Sequence, residues 1–437
     1  PSAVGGFRRA AAGARGAQVS LRSPSVVCTI SSAIDIKAPG ATARPSRRLE
    51  GARAHGREEP VSRDRRASLA LAPVRETGSE EAPGLDRLLA GAVDVLPAGR
   101  LAEQLASGRP LRVKFGMDPT SPDIHLGHCV VLTKLRAFQE LGHTVVLIVG
   151  DFTARVGDPS GRDTTRPVLS PEQIEANART YQEQAFKVLD PDRTEVRHNS
   201  EWLEMASGEL FDLVRRFTVA RLLEREDFQK RMAAEQPISA LELLYPVLQG
   251  YDSVAVRADV ELGATDQKFN LLFGRDVQIA YGQEPQSIMT MPILVGTDGV
   301  RKMSKSYGNY VGVDEEPAEM FGKLMRIPDE LMPTYYELLL ERRPDPKAHP
   351  NEAKRALARA LVERFHDAES ARAAEERFDL VHKRREVPDD VPTVAPRPGP
   401  DGMVHLPALI KDQFGISTSE ARRLLAGGGV RLDGERL

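Results

Sequence analysis

Cysteine is scarce in this chain of 437 residues, which contains only Cys28 and Cys129. Neither lies in a C-x-x-C pair or beside a histidine cluster with the spacing of zinc ligands, so the sequence predicts neither a disulfide scaffold nor a structural zinc site. The longest apolar run, residues 144–149, is far shorter than the roughly 18 residues that a membrane-spanning helix needs. We therefore expect a soluble protein without a membrane partner.

An excess of charge of one sign is also missing, because 60 basic residues stand against 63 acidic residues, a formal net charge of −3. A nucleic-acid partner must therefore be held by a local basic surface rather than by the protein as a whole. Apolar residues make up 41% and charged residues 28% of the chain. These values are typical of globular proteins and exclude the collagen-like, coiled-coil and wholly disordered classes. The length predicts two or three domains.

The first 75 residues differ from the rest in charge, with 13 arginines, one lysine and five acidic residues, none of them before Asp35. They also lack the sustained periodicity of a helix or a strand. Arginine-rich segments with few acidic residues are typical of organelle transit peptides. We expect residues 1–75 to be a transit peptide that directs the protein to a plastid or mitochondrion. The alternative is a disordered or spurious leader on a protein of bacterial-type cytoplasm.

An α/β core is predicted from residue 111 onwards. Residues 111–116 and 144–149 have the composition of strands, and a helical pattern over about 126–141 lies between them. A strand, a helix and a strand at this spacing predict a βαβ unit with parallel strands and a right-handed crossover. Residues 171–235 are predicted to be mostly helical, and a second α/β passage follows over about 245–314, with a buried strand near its end.

Two motifs indicate a site for a polyphosphate. In His125-Leu126-Gly127-His128, two imidazoles share one face of the predicted helix start, where free N–H groups attract anions. The later run Lys302-Met303-Ser304-Lys305-Ser306 forms a cationic loop suited to the charge that develops on a leaving pyrophosphate. Each motif alone is also compatible with an ordinary helix cap or a solvated loop. Their joint occurrence after a βαβ unit predicts a nucleotide-dependent enzyme.

With these motifs the chain resembles the class I aminoacyl-tRNA synthetases, and among them the bacterial-type tyrosyl-tRNA synthetases. The family signatures HIGH and KMSKS correspond to residues 125–128 and 302–306, and the resemblance covers about residues 85–437. It implies that ATP and L-tyrosine react to tyrosyl-adenylate and pyrophosphate, and that the tyrosyl group then passes to tRNA(Tyr). It further implies a homodimer, Mg²⁺ accompanying ATP, and neither a protein-bound metal nor an organic cofactor.

The resemblance also implies the roles of individual residues. Tyr245, Gln249 and Asp252 share one helix face at i, i+4 and i+7; in the family the first two bind the ammonium end of tyrosine and the aspartate accepts the phenol hydrogen bond. The implied catalytic residues are His125, His128, Lys302 and Lys305. The implied ATP-binding residues are Thr120, Gly127, Gly263, Asp266, Met303, Ser304 and Ser306. The implied tyrosine-binding residues are Lys114, Gly116, Asp118, Thr153, Asp158, Tyr245, Gln249, Asp252 and Gln267.

Lys114 departs from the family pattern, since many relatives have a tyrosine at this position that shares the phenol hydroxyl with the aspartate. An ammonium group donates three hydrogen bonds and accepts none. We therefore expect Lys114 either to neutralise Asp252 or to contact the hydroxyl oxygen. This position alone does not exclude tryptophan as the substrate.

The resemblance predicts three folded domains and contacts with tRNA beyond the active site. Arg422, Arg423 and Arg431 in the C-terminal module are candidates for contacts with tRNA phosphates, and the dimer is expected to form through the helical insertion around 195–245. The predicted domains are a Rossmann-like catalytic domain at 76–314 with a helical insertion at about 171–240, a helical anticodon-binding domain at 315–386, a proline-rich linker at 387–402 and a truncated S4-like RNA-binding module at 403–437.

Two other functions are compatible with part of these features. A small-molecule nucleotidylyltransferase also uses an H-x-G-H motif at a helix start, but the residues from 302 to 306 and the face from Tyr245 to Asp252 argue against it. An RNA-binding factor built on an inactive synthetase fold is the non-enzymatic alternative. The intact signature motifs argue against that alternative, and Lys114 is the feature that keeps it open.

Overall fold

The computed structural model describes residues 18–20, 84–120, 122–159, 170–384, 403–428, 430–432 and 435–436. The expected linker at 387–402 lies outside these residues, as does the expected transit peptide at 1–75 except for residues 18–20. The chain divides into two compact units, one formed by Thr77–Asp379 and the other by Pro1–Glu76 with Leu380–Leu437.

A six-stranded sheet is the framework of the larger unit. Its strands are β2 (Asp94–Leu96), β3 (Arg112–Met117), β4 (Thr144–Val149), β5 (Thr194–His198), β6 (Val260–Ala264) and β7 (Ser287–Met291), with β1 (Gln18–Ser20) belonging to the smaller unit. The order is β2-β7-β6-β3-β4-β5, and every neighbouring pair is parallel except β2 with β7. The central strands are buried, as expected for a parallel sheet covered by helices on both faces.

Helices connect the strands of this sheet. They are α1 (Leu85–Leu89), α2 (Arg100–Ala106), α3 (Leu126–Glu140), α4 (Thr153–Val156), α5 (Pro171–Ala185), α6 (Ser200–Leu203), α7 (Ser207–Val214), α8 (Val219–Leu222), α9 (Glu226–Ala233), α10 (Ala240–Val256) and α11 (Lys268–Ala280). The predicted βαβ unit is confirmed as β3, α3 and β4, with β3 and β4 in parallel register. The helix α3 ends just before Gly142, whose φ of +91° favours glycine.

Strand β5 was not predicted, because the sequence pattern favoured helices throughout residues 171–235. The strand lies at the edge of the sheet beside β4, and all five of its residues are only half-buried. An edge strand with partly exposed charged residues has no continuous apolar run, which is the signal that identified β4. The helical pattern around it therefore concealed a strand that completes the sheet.

Four further helices follow the sheet in the larger unit. They are α12 (Pro317–Met325), α13 (Met332–Leu340), α14 (Pro350–Phe365) and α15 (Ala368–Phe378). Their buried side chains, including Phe321 and Leu357, belong to the same apolar cluster as Leu132 of α3. The region predicted to be helical from residue 315 is thus helical, and its core is continuous with that of the sheet.

The smaller unit contains short strands and two helices. These elements are β8 (Met403–His405), α16 (Leu406–Phe414), α17 (Thr418–Ala426), β9 (Arg431–Leu432) and β10 (Glu435–Arg436). Strand β8 pairs with β1 and β9 pairs with β10, both antiparallel. Ile410, Ala421 and Val430 form its apolar core. Within the described parts of both units, no helix has the length and apolarity that crossing a membrane would require.

Candidate active site

The HIGH motif forms the start of α3, where its two imidazoles lie against each other. Nδ1 of His125 accepts a hydrogen bond from the Gly127 N–H at 3.2 Å, and Nδ1 of His128 accepts one from the His125 N–H at 3.2 Å. The ring centroids are 4.0 Å apart. A Cβ on Gly127 would come within 2.9 Å of the His125 ring, so this packing requires a glycine.

Both imidazoles are neutral at physiological pH. Burial lowers the pKa of His125 to about 2 and that of His128 to about 4, and the charge of Lys305 adds to the effect. Because Nδ1 of each neutral ring accepts a hydrogen bond, its proton lies on Nε2. The pair can therefore offer two N–H donors to phosphate oxygens, not two positive charges.

The KMSKS loop lies next to these imidazoles. The position of a Cβ on Gly127 would be 3.8 Å from Cβ of Met303. Lys305 Nζ lies 2.5 Å from Asp123 Oδ2, and Lys302 Nζ lies 3.7 Å from Asp266 Oδ2. Burial is the main cause that raises the pKa of Asp266 above its usual value. The two signatures, far apart in sequence, thus surround one site with two lysines and two imidazoles.

Asn309 supports the KMSKS loop and was not identified from the sequence. Its side-chain oxygen accepts from the Ser304 N–H at 2.9 Å, and its amide donates to the carbonyl of Lys302 at 3.1 Å. Ser304 and the exposed Ser306, both predicted to bind ATP, are therefore in a loop whose backbone is fixed by one buried asparagine. No motif marks this residue, since a lone asparagine after a basic loop is common.

The predicted tyrosine-binding residues of α10 meet the loop that follows β3. Tyr245 donates a hydrogen bond to Asp118 Oδ2 at 2.9 Å, and Thr153 donates one to Asp118 Oδ1 at 2.7 Å. A Cβ on Gly150 would come within 2.1 Å of Asp118 Oδ1, so a glycine is required there. The structure thus brings together three of the predicted residues, with Asp118 at their centre.

Asp158 and Gln267, both predicted to bind tyrosine, are also neighbours. Gln267 Nε2 donates to Asp158 Oδ2 at 2.8 Å. Arg225, which the sequence did not indicate, is buried and its guanidinium lies 3.7 Å from Asp158 Oδ1. Arg225 also donates to Asn270, which in turn donates to Gln267. The orientation of these two predicted residues therefore depends on a buried arginine.

Asp252 lies two turns beyond Tyr245 along α10 and is almost fully buried. Its carboxylate accepts hydrogen bonds from Trp202 Nε1 at 2.8 Å and from Asn199 Nδ2 at 3.5 Å. Burial raises the pKa of Asp252 to about 7, although the charge of Lys114 and the bonds from Trp202 and Asn199 oppose the rise. A buried carboxylate held by two fixed donors has further lone pairs for a substrate hydroxyl.

Sequence reasoning missed the two donors to Asp252. Trp202 lies in residues 171–235, which were predicted only to be mostly helical, and Asn199 follows the unpredicted strand β5. Asn199 also donates to Thr153 Oγ1 at 2.9 Å and accepts from the Phe152 N–H at 2.9 Å. It thereby links Asp252 to the group around Asp118. The only sequence feature that could have indicated Trp202 is that it is the single tryptophan in the chain.

Lys114 is held by three polar groups of the protein. Its Nζ lies 2.8 Å from Glu261 Oε1 and donates to Ser253 Oγ at 2.8 Å and to the Gln249 carbonyl at 2.9 Å. These three partners use all three ammonium hydrogens. Lys114 acts on Asp252 through its charge, which lowers the pKa of that carboxyl, while its three bonds leave no ammonium hydrogen for the phenol oxygen. The strand register places Lys114 directly opposite Glu261.

The remaining predicted residues lie at strand ends or in the smaller unit. Gly116 and Gly263 are at the carboxyl ends of β3 and β6, and the Thr120 N–H donates to the Asp118 carbonyl. Arg422 and Arg423 are exposed on α17 of the smaller unit. Arg431 begins β9. Among the side chains that the structure describes, no group of His, Cys, Asp and Glu could hold a metal ion.

Comparison with known proteins shows which family this chain is similar to. The model of the family described as tRNA synthetases class I (W and Y) matches residues 106–383. The chain is 54% identical over 366 residues to a tyrosine-tRNA ligase of Thiobacillus denitrificans, covering 81% of this chain and 92% of the relative. It is 52% identical over 376 residues to a tyrosine-tRNA ligase of Moorella thermoacetica, covering 82% of this chain and 90% of the relative.

Two solved structures share the fold at low sequence identity. A C-terminally truncated mitochondrial tyrosyl-tRNA synthetase of Aspergillus nidulans has a TM-score of 0.57 at 21% identity, covering 70% of this chain and 95% of that one. A tyrosyl-tRNA synthetase of Archaeoglobus fulgidus complexed with L-tyrosine has a TM-score of 0.54 at 22% identity, covering 66% of this chain and 96% of that one. At this identity the similarity shows the fold alone, which is that of a class I synthetase.

Proposed function

We propose, since this chain belongs to the class I tRNA synthetases of the tryptophan and tyrosine type, that it catalyses the tyrosine-tRNA ligase reaction. It activates L-tyrosine with ATP and transfers the tyrosyl group to tRNA(Tyr). The observation that carries the choice of tyrosine is the buried carboxylate of Asp252. Trp202 and Asn199 fix this carboxylate on the same helix as Tyr245 and Gln249, so it can accept a hydrogen bond from a phenol hydroxyl.

Activation needs no general base from the protein, because the α-carboxylate of an amino acid is ionised at neutral pH. The carboxylate attacks the α-phosphate of ATP, and pyrophosphate leaves. Catalysis then consists of positioning and of stabilising the charge that develops on the phosphates. The Nε2–H groups of His125 and His128 and the ammonium groups of Lys302 and Lys305 supply this stabilisation. Mg²⁺ enters with ATP as part of the substrate.

Binding of tRNA is assigned to the helices after the sheet and to the smaller unit. We propose that residues 315–386 bind the anticodon region and that residues 403–437 form an S4-like module. The adjacent, exposed Arg422 and Arg423 of α17 support contacts with tRNA phosphates. Neutralising either arginine is expected to weaken tRNA binding and to leave tyrosine activation unchanged.

A homodimer and an organellar location complete the proposal. Large apolar side chains are exposed on and near the helical insertion, namely Phe211, Val219, Met232 and Leu241, and a second copy of the chain would shield them from water. The arginine-rich composition of residues 1–75 supports import into a plastid or mitochondrion. Sedimentation of the purified chain tests the dimer, and imaging of a fluorescent fusion of residues 1–75 tests the location.

Amino-acid-dependent exchange between ATP and pyrophosphate tests the activity, with tyrosine, tryptophan and phenylalanine supplied separately. We expect exchange with tyrosine alone. A site that hydrogen-bonds a hydroxyl rejects the analogue lacking it by about 10⁴-fold or more, a range for which tyrosyl-tRNA synthetases are themselves the standard example. Exchange with none of the three by folded protein contradicts the proposal and favours an RNA-binding factor without catalysis.

A further inference from the structure

A buried polar cluster lies between the sheet and the helices α10 and α11. It consists of Lys114, Gln249, Ser253, Glu261 and Gln286, and we refer to it as the Lys114 cluster. The side chains of Lys114 and Glu261 are 0% and 1% exposed, and Ser253 and Gln286 are fully buried. Removing the two charges of a buried ion pair from water costs free energy. The hydrogen bonds that the pair makes therefore indicate its role in the protein.

Hydrogen bonds satisfy both charges of the cluster. Lys114 and Glu261 are Cα partners on the neighbouring strands β3 and β6. Ser253 accepts from Lys114 at 2.8 Å and donates to Glu261 Oε2 at 3.2 Å. Gln286 also donates to Glu261 Oε2. Both carboxylate oxygens and all three ammonium hydrogens are therefore used within the protein, so neither charge is available to a substrate.

Both members of the ion pair hold Gln249. Lys114 donates to the Gln249 carbonyl at 2.9 Å, and the Gln249 side chain donates to Glu261 Oε1 at 3.3 Å. Ser253, the third anchor, directly follows Asp252 in α10. The cluster thus fixes the turn of α10 that carries Gln249 and Asp252, which is the turn that the proposed function assigns to tyrosine binding.

Two glycines leave room for the cluster between α10 and α11. A Cβ on Gly274 of α11 would lie 2.9 Å from Gln286 Nε2, 3.2 Å from Glu261 Oε2 and 3.4 Å from Ser253 Oγ. A Cβ on Gly250 would in turn lie 3.3 Å from Cα of Gly274. Glycine therefore allows α10 and α11 to approach closely, and the polar side chains fill the space between them.

Resting on the proposed function, we propose that Lys114 and Glu261 are positioning residues for tyrosine binding: their ion pair orients Gln249 and anchors the turn of α10 that presents Asp252. A buried ion pair is weak evidence for stability, because apolar replacement is often neutral or stabilising. An apolar pair at these positions would lack the hydrogen bonds that Lys114 and Glu261 make with Gln249. Lys114 thus supports the tyrosine site from behind without touching the substrate.

The test uses the full chain in the pyrophosphate exchange assay. Changing Lys114 or Glu261 alone would leave an unpaired buried charge, so the decisive variant is the uncharged double variant Lys114→Met/Glu261→Gln. We expect its KM for tyrosine to rise about tenfold, the loss of one hydrogen bond to a charged group, with the KM for ATP changed less than twofold. The control is Arg179→Met/Glu175→Gln, which neutralises an ion pair within α5 and should leave both KM values unchanged.

An unchanged KM for tyrosine in the folded double variant overturns the proposal and leaves the pair a purely structural role. Equal rises in both KM values also overturn it, since they indicate general damage. If the double variant does not fold, Ser253→Ala becomes the decisive variant. It removes one hydrogen-bonding partner of Lys114 and Glu261 and leaves their opposite charges paired. Its KM for tyrosine should then rise about threefold, and no change contradicts the proposal. Absence of tyrosine-dependent exchange in the unmodified chain would instead contradict the proposed function.

Discussion

The charged groups at the two ends of the active site differ in exposure. At the nucleotide end, formed by His125, His128, Lys302 and Lys305, the lysine side chains are 40% and 23% exposed and each faces a single carboxylate. At the tyrosine end, formed by Asp252 and the Lys114 cluster, the charges are buried and have several partners each. Lysines that must follow a leaving pyrophosphate need freedom to move, whereas recognition of one hydroxyl needs a fixed acceptor.

The largest effect is expected at the nucleotide end, from His125→Ala. This change removes an N–H donor aimed at the phosphates and also the cap of α3. Loss of one such donor typically lowers kcat about 100-fold or more, and the KM for tyrosine should change little. Steady-state pyrophosphate exchange measures both constants. His349→Ala, which removes an exposed histidine that caps α14, is the matched control and should keep kcat.

If His125→Ala raised the KM for tyrosine and left kcat unchanged, the two ends would not be separable in function. The imidazoles would then contribute to the binding of tyrosine and not to stabilising the charge on the phosphates.

The next effect is expected at the tyrosine end, from Asp252→Asn. An amide keeps the shape of the side chain but accepts a hydrogen bond less strongly than a carboxylate does. Hydrogen bonds to charged groups contribute about 1.5–3 kcal/mol, so kcat/KM for tyrosine should fall between about tenfold and 100-fold. The value for phenylalanine should change far less, since phenylalanine has no hydroxyl. Measuring exchange with both amino acids shows the loss of discrimination; an equal loss for both would contradict the assigned role of Asp252.

The pH dependence of tyrosine binding tests the same role of Asp252. Burial raises the pKa of Asp252 to about 7, so in the free protein this carboxyl becomes protonated as the pH falls through 7 and loses its capacity as an ionised acceptor. We expect the KM for tyrosine to be about tenfold higher at pH 6 than at pH 8, because with a pKa of about 7 roughly one tenth of the carboxyl is ionised at pH 6 and roughly nine tenths at pH 8. Asp252→Asn should abolish this dependence, and its persistence in that variant would assign the titration to another group.

The same shift has a consequence for stability. A carboxyl whose pKa is raised on folding binds its proton more tightly in the folded state. Asp252 therefore stabilises the fold below its ordinary pKa, and this contribution is lost as the pH rises through about 7. Asp252→Asn is accordingly expected to be more thermostable relative to the unmodified chain at pH 8 than at pH 4. Recognition of the hydroxyl is thus obtained at a cost in stability, which is typical of functional sites.

The sequence was sufficient where function coincides with local patterns. The βαβ unit, both signature motifs and the face from Tyr245 to Asp252 could be identified because each is a contiguous segment with a fixed period. The partners of Asp252 could not, since Trp202 and Asn199 follow β5, an edge strand without an apolar run. Their contribution depends on how β5 aligns with β4, and a single sequence does not contain that alignment in any local pattern.

Lys114 shows a second limit of prediction from the sequence alone. Its position in the motif pattern was identified, but its partner was not, because Glu261 is far away in sequence and becomes its neighbour only through the pairing of β3 with β6. An isolated lysine in a predicted site suggests a substrate contact. A lysine opposite a buried glutamate on the adjacent strand instead forms an ion pair within the protein, and only the sheet order distinguishes the two.

The smallest effect is expected from Asp123→Asn at the nucleotide end. Asp123 holds Lys305 at 2.5 Å, and ATP phosphates must replace this carboxylate as the partner of the lysine. Because exposed ion pairs contribute only about 0–1 kcal/mol, releasing Lys305 should lower the KM for ATP by no more than about fivefold, while the KM for tyrosine stays unchanged. Glu175→Gln, which removes an exposed carboxylate paired with Arg179 on α5, is the control. A rise in the KM for ATP would instead show that Asp123 helps to bind the nucleotide, and the partly exposed lysines would then be fixed in place like the charges at the tyrosine end.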